Sequence, residues 1–134
     1  MGTESLWGNL TVDEIADFET PVSILKSQAA QLSRITKNVV KANIDLISGD
    51  PSGQFRYDFD VVVPALDNYV YTLFRISHSM RLYPVRITVT HANPSYDLEC
   101  EDRQAFVQTV ESILSSERVH TIVRSLLAQA KAIR

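Results

Sequence analysis

The sequence predicts an α+β domain: a five-stranded antiparallel meander sheet with N-terminal and C-terminal helices packed on one of its faces. Apolar residues recur with helical spacing over residues 21–37 and again from residue 106 onwards. Between residues 39 and 100 apolar and polar residues alternate, which is the period of a half-buried strand. Short connections join the alternating segments, as in antiparallel hairpins.

Length and composition indicate one soluble domain spanning residues 1–134, with residues 1–10 as an N-terminal arm. The chain has 134 residues, of which 45% are hydrophobic and 22% are charged, and a chain of this length can bury a core of its own. A net charge of -3 argues against a dedicated nucleic-acid binder. The single cysteine excludes an intrachain disulfide and a cysteine-based zinc site.

Capping residues mark where the helices begin. Thr11 and Glu14 have the spacing of a capping box and predict a short first helix. Thr20 followed by Pro21 predicts the start of a second helix, because proline needs no N–H partner at the first helical position. Near the C-terminus the apolar stripe changes phase, so we expect two helices there, with Ser116 capping the second.

The strands are predicted at residues 40–46, 55–63, 69–77, 83–91 and 96–100. Their register is chosen so that apolar faces coincide, because a slip of one residue moves every side chain to the other face. With Phe59 opposite Phe74, and Phe74 opposite Ile87, all five strands share one apolar face for the helices to cover. The outward face then pairs unlike charges: Lys41 with Asp60, Asp45 with Arg56, Asp58 with Arg75, and Arg86 with Glu101.

Candidate partner-binding residues are assigned to that outward face, where a solvated sheet would normally carry Thr, Lys or Glu. Tyrosine and arginine together with a few aliphatic residues are typical of protein-binding surfaces. The residues concerned are Val62, Tyr69, Tyr71, Leu73, Arg75, Arg81 and Arg86. They favour a non-catalytic protein–protein interaction protein (an adaptor, toxin-neutralising or chaperone-like protein) whose partner is another protein or a second copy in a homodimer.

An alternative interpretation is a small-molecule-binding protein or enzyme, with a pocket between sheet and helices near Tyr57, His91 and Cys100. A third is anion or nucleic-acid binding through Arg75, Arg81 and Arg86, although the overall charge disfavours nucleic acid. No catalytic residue, metal site or cofactor is predicted. The sequence has no phosphate-binding glycine loop, and the register gives basic neighbours to Asp58 and Asp60, whose spacing could otherwise serve a metal or an acid–base pair.

The same sequence predicts a bacterial protein of the cytoplasm. No basic segment followed by an apolar one marks a secretion signal near the N-terminus. The longest apolar stretch is too short to cross a membrane.

Overall fold

A computed structural model describes residues 5–8, 10, 19–49 and 53–133. It confirms the α+β class and the meander order β1-β2-β3-β4-β5 of one five-stranded antiparallel sheet. In chain order the elements are α1 (Pro21–Ile35), β1 (Lys41–Gly49), β2 (Phe55–Val63), a short 3-10 turn (Pro64–Leu66), β3 (Tyr69–His78), β4 (Val85–Val89), β5 (Tyr96–Cys100), α2 (Arg103–Leu114) and α3 (Glu117–Ile133). The short helix predicted at Thr11 lies outside the described residues.

Local hydrogen bonds explain where the helices begin. The Thr20 hydroxyl accepts from the Ser23 N–H at 3.0 Å, so the predicted cap of α1 is confirmed. The Asp102 carboxylate caps α2 by accepting from the Ala105 N–H at 2.8 Å. The Ser116 hydroxyl accepts from the N–H of Val119 at 3.2 Å, which confirms the predicted break before α3.

The predicted pairing of Phe59 with Phe74 is confirmed, and their rings stack with centroids 4.9 Å apart. The register of β1 against β2, and of β3 against β4, differs from the prediction by two residues. Phe74 lies opposite Val89 instead of Ile87, and Lys41 lies opposite Val62 instead of Asp60. A slip of two residues returns every side chain to the same face, so the apolar face survives the error.

The two-residue slip does change the charge pairs on the outward face. The ion pair of Asp58 with Arg75 is confirmed, with the carboxylate 2.8 Å from Nε. The other expected pairs are wrong: Lys41 lies opposite Val62, Asn43 opposite Asp60, Asp45 opposite Asp58, Ser48 opposite Arg56, and Arg86 opposite Glu99.

A β-bulge at Leu73 overturns part of the face assignment. Phe59 pairs with Phe74, but Asp60 pairs with Thr72, so Leu73 is an extra residue in β3. Side chains do not alternate between the two faces across such an extra residue. The side chains of β3 that precede Leu73 therefore lie on the faces opposite to those predicted. Tyr71 therefore lies opposite the buried Val61, on the helix side of the sheet. Leu73 itself is 1% exposed, so the outward placement of both residues is wrong.

One apolar core joins the inner face of the sheet to the three helices. On the helices its buried members are Leu25, Ala29, Phe106, Val110, Ile113, Val119, Leu126 and Ala130. On the strands they are Phe59, Val61, Val63, Leu73, Phe74, Ile76, Val85, Ile87, Val89 and Cys100. The helices thus cover one face, as predicted, and leave the charged face outward.

Candidate functional site

An apolar groove lies between α1 and α3. Its floor is the inner face of the sheet, formed by Phe59, Val61 and Leu73. All three floor side chains are at most 2% exposed. The groove encloses about 280 Å³. The bulge therefore has a structural consequence for the site, because it turns Leu73 into the floor.

The walls of the groove are apolar side chains from all three helices. They are Leu32 and Ile35 of α1, Leu114 of α2, and Val119, Val123 and Leu127 of α3. The row of apolar side chains on the sheet-facing side of α1 continues through Leu32 to Ile35. At Ile35 no other element of the described residues covers this row. Ile35 is consequently 73% exposed. A large aliphatic side chain exposed beside an apolar groove is typical of a binding surface.

The rim of the groove is polar and carries no acidic residue. Gln28 and Gln31 lie on the α1 side, and His120 and Arg124 lie on the α3 side. Arg124 is 3.7 Å from the carboxylate of Glu117, which lies outside the groove and is 85% exposed. An ion pair this exposed is weak, so the Arg124 guanidinium can turn to an incoming acidic group.

The polar group deepest in the groove is already satisfied by the backbone. The Thr36 hydroxyl lies 2.9 Å from the Leu32 carbonyl oxygen and 2.8 Å from that of Val40, and it accepts from the Val40 N–H. The groove lining contains no cysteine, serine or carboxylate. Its floor and walls suit the binding of an apolar surface.

The structure divides the predicted partner-binding residues between two surfaces. Leu73 lies on the groove floor, and Tyr69 and Tyr71 lie opposite the buried Val63 and Val61 on the helix side. Val62 faces outward opposite Val70, and Arg75 and Arg86 face outward beside Ser77. Arg81 lies in the turn after β3, where its N–H donates to the Ser79 hydroxyl.

The outward arginines line a polar trough of about 450 Å³. Its lining residues are Gln54, Arg56, Arg75, Ser77, Ser79, Pro84, Arg86, Thr88, Asp97 and Glu99. Arg75 is paired with Asp58, and Arg86 lies 4.0 Å from Glu99. Asp58, Asp97 and Glu99 together balance the charges of Arg56, Arg75 and Arg86, so the trough lacks the excess positive field that a phosphate polymer would need. Alternation in β2 places Arg56 on this face, a residue that the sequence-based site omitted.

The residues of the alternative pocket are not brought together. Tyr57 on β2 stacks against His78 with ring centroids 5.8 Å apart, and Cys100 lies at the end of β5. The Nδ1 atom of His91 is 2.9 Å from the Leu73 carbonyl oxygen. Burial raises the pKa of the Cys100 thiol, so little of it is the nucleophilic thiolate at neutral pH.

Nowhere in 5–8, 10, 19–49 and 53–133 do three or more His, Cys, Asp or Glu side chains form a group that could hold a metal ion. In that same part of the chain, no helix combines the length and apolar character needed to cross a bilayer.

Comparisons with protein-family models, with curated proteins and with solved structures find no match for this chain.

Some of the groove residues could have been identified from the sequence. Ile35 continues the apolar stripe of α1, and Val123 and Leu127 widen the stripe of α3 beyond what one sheet contact needs. The gap between these two helices gave no signal in the sequence.

Proposed function

We propose that this is a non-catalytic protein-binding protein of the adaptor type, whose groove between α1 and α3 receives an acidic amphipathic helix of a partner protein. The groove itself is the observation that carries the proposal: an apolar floor and apolar walls, closed at the rim by glutamine, histidine and arginine. An amphipathic helix laid into a hydrophobic groove is a recurrent mode of peptide recognition.

The chemistry of the rim indicates the charge of the partner. Because the lining has no carboxylate and includes Arg124, acidic residues beside the apolar stripe of an incoming helix would meet favourable charge. Apolar side chains at positions i, i+3 and i+4 of that helix would point toward Phe59, Val61 and Leu73. The partner helix would then lie between α1 and α3 and extend the helix layer over the sheet.

We also place the protein in the cytoplasm, since its one cysteine is a free thiol. The partner in this proposal is a different protein. Formation of a homodimer through the groove is the competing arrangement, and it would appear as a concentration-dependent increase in mass that substitution of the groove abolishes.

The test uses a fluorescein-labelled helical peptide with leucine at i, i+3, i+4 and i+7 and glutamate at most other positions, followed by fluorescence anisotropy. Ile35→Glu places a carboxylate at the groove wall, and because Ile35 is 73% exposed the substitution leaves the core intact. We expect the affinity to fall at least about tenfold, since a charge would meet the apolar stripe of the peptide.

Ile133→Glu is the matched control. Ile133 is 65% exposed and is absent from the groove lining, so the same chemical change should leave the affinity unaltered. Equal binding by the two variants would contradict the proposal.

A third variant, Ile15→Asp, tests competition by the chain's own sequence, because residues 11–18 also carry an acidic amphipathic pattern. A gain in peptide affinity with this variant would identify that segment as a competitor.

A small apolar molecule is the second candidate for the groove. The volume of about 280 Å³ is close to the lower end of ordinary ligand pockets, about 300–1,000 Å³. In that case the labelled peptide would bind no more tightly than a labelled peptide of shuffled sequence.

A further inference from the structure

β5 forms an open edge of the sheet. Within the described part of the chain it pairs with β4 alone, and no strand lies on its other side. Along an edge strand, alternate backbone N–H and C=O groups point away from the sheet and can pair with another chain. Tyr96 to Glu99 are all exposed, so side chains do not cover this edge.

The helix side of β5 presents two apolar residues beyond the cover of the helices. Tyr96 lies opposite the buried Val89, and Leu98 lies opposite the buried Ile87. Both positions belong to the inner face, yet Tyr96 is 49% exposed and Leu98 is 36% exposed. A strand added beside β5 could cover them with apolar side chains of its own.

The outward side of β5 presents two acids. Asp97 accepts from the Thr88 hydroxyl at 2.7 Å, and Glu99 lies 4.0 Å from Arg86. Both outward rows that reach β5 therefore end at the edge on a carboxylate. A basic side chain in the next strand would continue the alternation of charge.

The same acids disfavour pairing of β5 with a second copy of itself. An antiparallel pair that keeps apolar side chains on one face must match outward positions with outward positions. Centring the pair on Leu98 sets Asp97 opposite Glu99 of the other copy. Moving it by two residues in either direction sets Asp97 opposite Asp97 or Glu99 opposite Glu99. Like charges directly opposite are destabilising.

We propose that the β5 edge binds an extended segment of a partner protein in which lysine or arginine alternates with apolar residues. The segment adds as a sixth strand: its backbone pairs with the open edge, its apolar residues cover Tyr96 and Leu98, and its basic residues lie beside Asp97 and Glu99. This site is separate from the groove between α1 and α3, and it takes a strand of opposite charge to the helix proposed there.

The test uses the full chain and two end-blocked eight-residue peptides, one of alternating lysine and valine and one of alternating glutamate and valine. Amide signals are followed by NMR during titration. We expect the lysine peptide to shift residues 96–100 and to bind about tenfold more tightly than the glutamate peptide. Its affinity should fall as salt is added.

Glu99→Lys should abolish this preference, weakening the lysine peptide about threefold and strengthening the glutamate peptide about threefold, because Asp97 and the substituted side chain then act in opposite directions. Gain of binding by the second peptide also shows that the variant is folded. Glu111→Lys on the exposed surface of α2 is the control with the same change of net charge, and it should alter neither affinity by more than about twofold. The proposal is overturned by shifts confined to residues outside β5, by equal effects of the two variants, or by the absence of binding, which would mean that the acids only protect the edge.

Discussion

Replacement of Leu73 by alanine, compared with replacement of Val70, tests which side chains of β3 lie in the core. Leu73 is 1% exposed and lies on the groove floor with Phe59 and Val61. Val70, three residues earlier on the same strand, is 52% exposed on the outward face. Strict alternation without the bulge would reverse these roles, with Val70 inside and Leu73 outside.

The magnitudes follow from burial. Leu→Ala in a core costs about 2–5 kcal/mol, the larger values arising where the cavity cannot collapse. Leu73 lies beneath an existing groove, so its neighbours have room to relax, and we expect a loss of about 3 kcal/mol. That corresponds to a fall in Tm on the order of 10 °C for a domain of this size. Val70→Ala should change the free energy of unfolding by less than about 0.5 kcal/mol, as usual for an exposed position.

Urea unfolding followed by circular dichroism measures both variants. The midpoint should fall for Leu73→Ala, while the slope of the free energy against urea stays at its wild-type value. A larger loss for Val70→Ala than for Leu73→Ala would refute the bulge and restore the sequence-based faces of β3.

The remaining predictions concern two polar groups. Burial raises the pKa of the Asp60 carboxyl, which accepts from the Thr72 hydroxyl and has the Asp58 charge nearby. The folded state therefore holds this proton to a higher pH than the unfolded state, and the carboxyl lowers stability as pH rises from the ordinary value of 3.8 through the raised pKa. The gain in unfolding free energy from Asp60→Asn should accordingly be greater at pH 7 than at pH 3.5, and a gain that shrinks with rising pH would contradict this sign. The Tyr83 hydroxyl is buried and has no hydrogen-bond partner among the described residues. Tyr83→Phe should stabilise the protein by about 1 kcal/mol in thermal unfolding, because it removes an unsatisfied group and keeps the edge-on contact with Phe106; a loss of similar size would show that the hydroxyl does have a partner.

Apolar periodicity was sufficient to predict the three helices of the described residues, the meander and the side of the sheet that these helices cover. It could not distinguish registers that differ by two residues, because both place Phe74 against an apolar neighbour on the same face. Charge was a weak guide between them. Only the pair of Asp58 and Arg75 was recovered, whereas Asp45 faces Asp58 at the exposed edge of the sheet.

The bulge at Leu73 is the main reason that the sequence-based site was misplaced. In the run from Tyr69 to Phe74 apolar residues do not alternate cleanly with polar ones, so the pattern could not show where one residue is extra. The groove depends on the spacing between α1 and α3, which is a tertiary property. The sequence of each helix shows only that its apolar face is wide enough to contact more than the sheet.

We propose that the acidic helix binds in the groove between α1 and α3 and not on the outward face of the sheet. A methyl-resolved NMR titration of the full chain with the acidic helical peptide distinguishes the two surfaces. We expect shifts at the methyl groups that line the groove, those of Leu32, Ile35, Val123 and Leu127, with Val62 and Val70 on the outward face unchanged. Shifts at Val62 and Val70 in place of the groove methyls, or a spectrum that does not change at all, would contradict it.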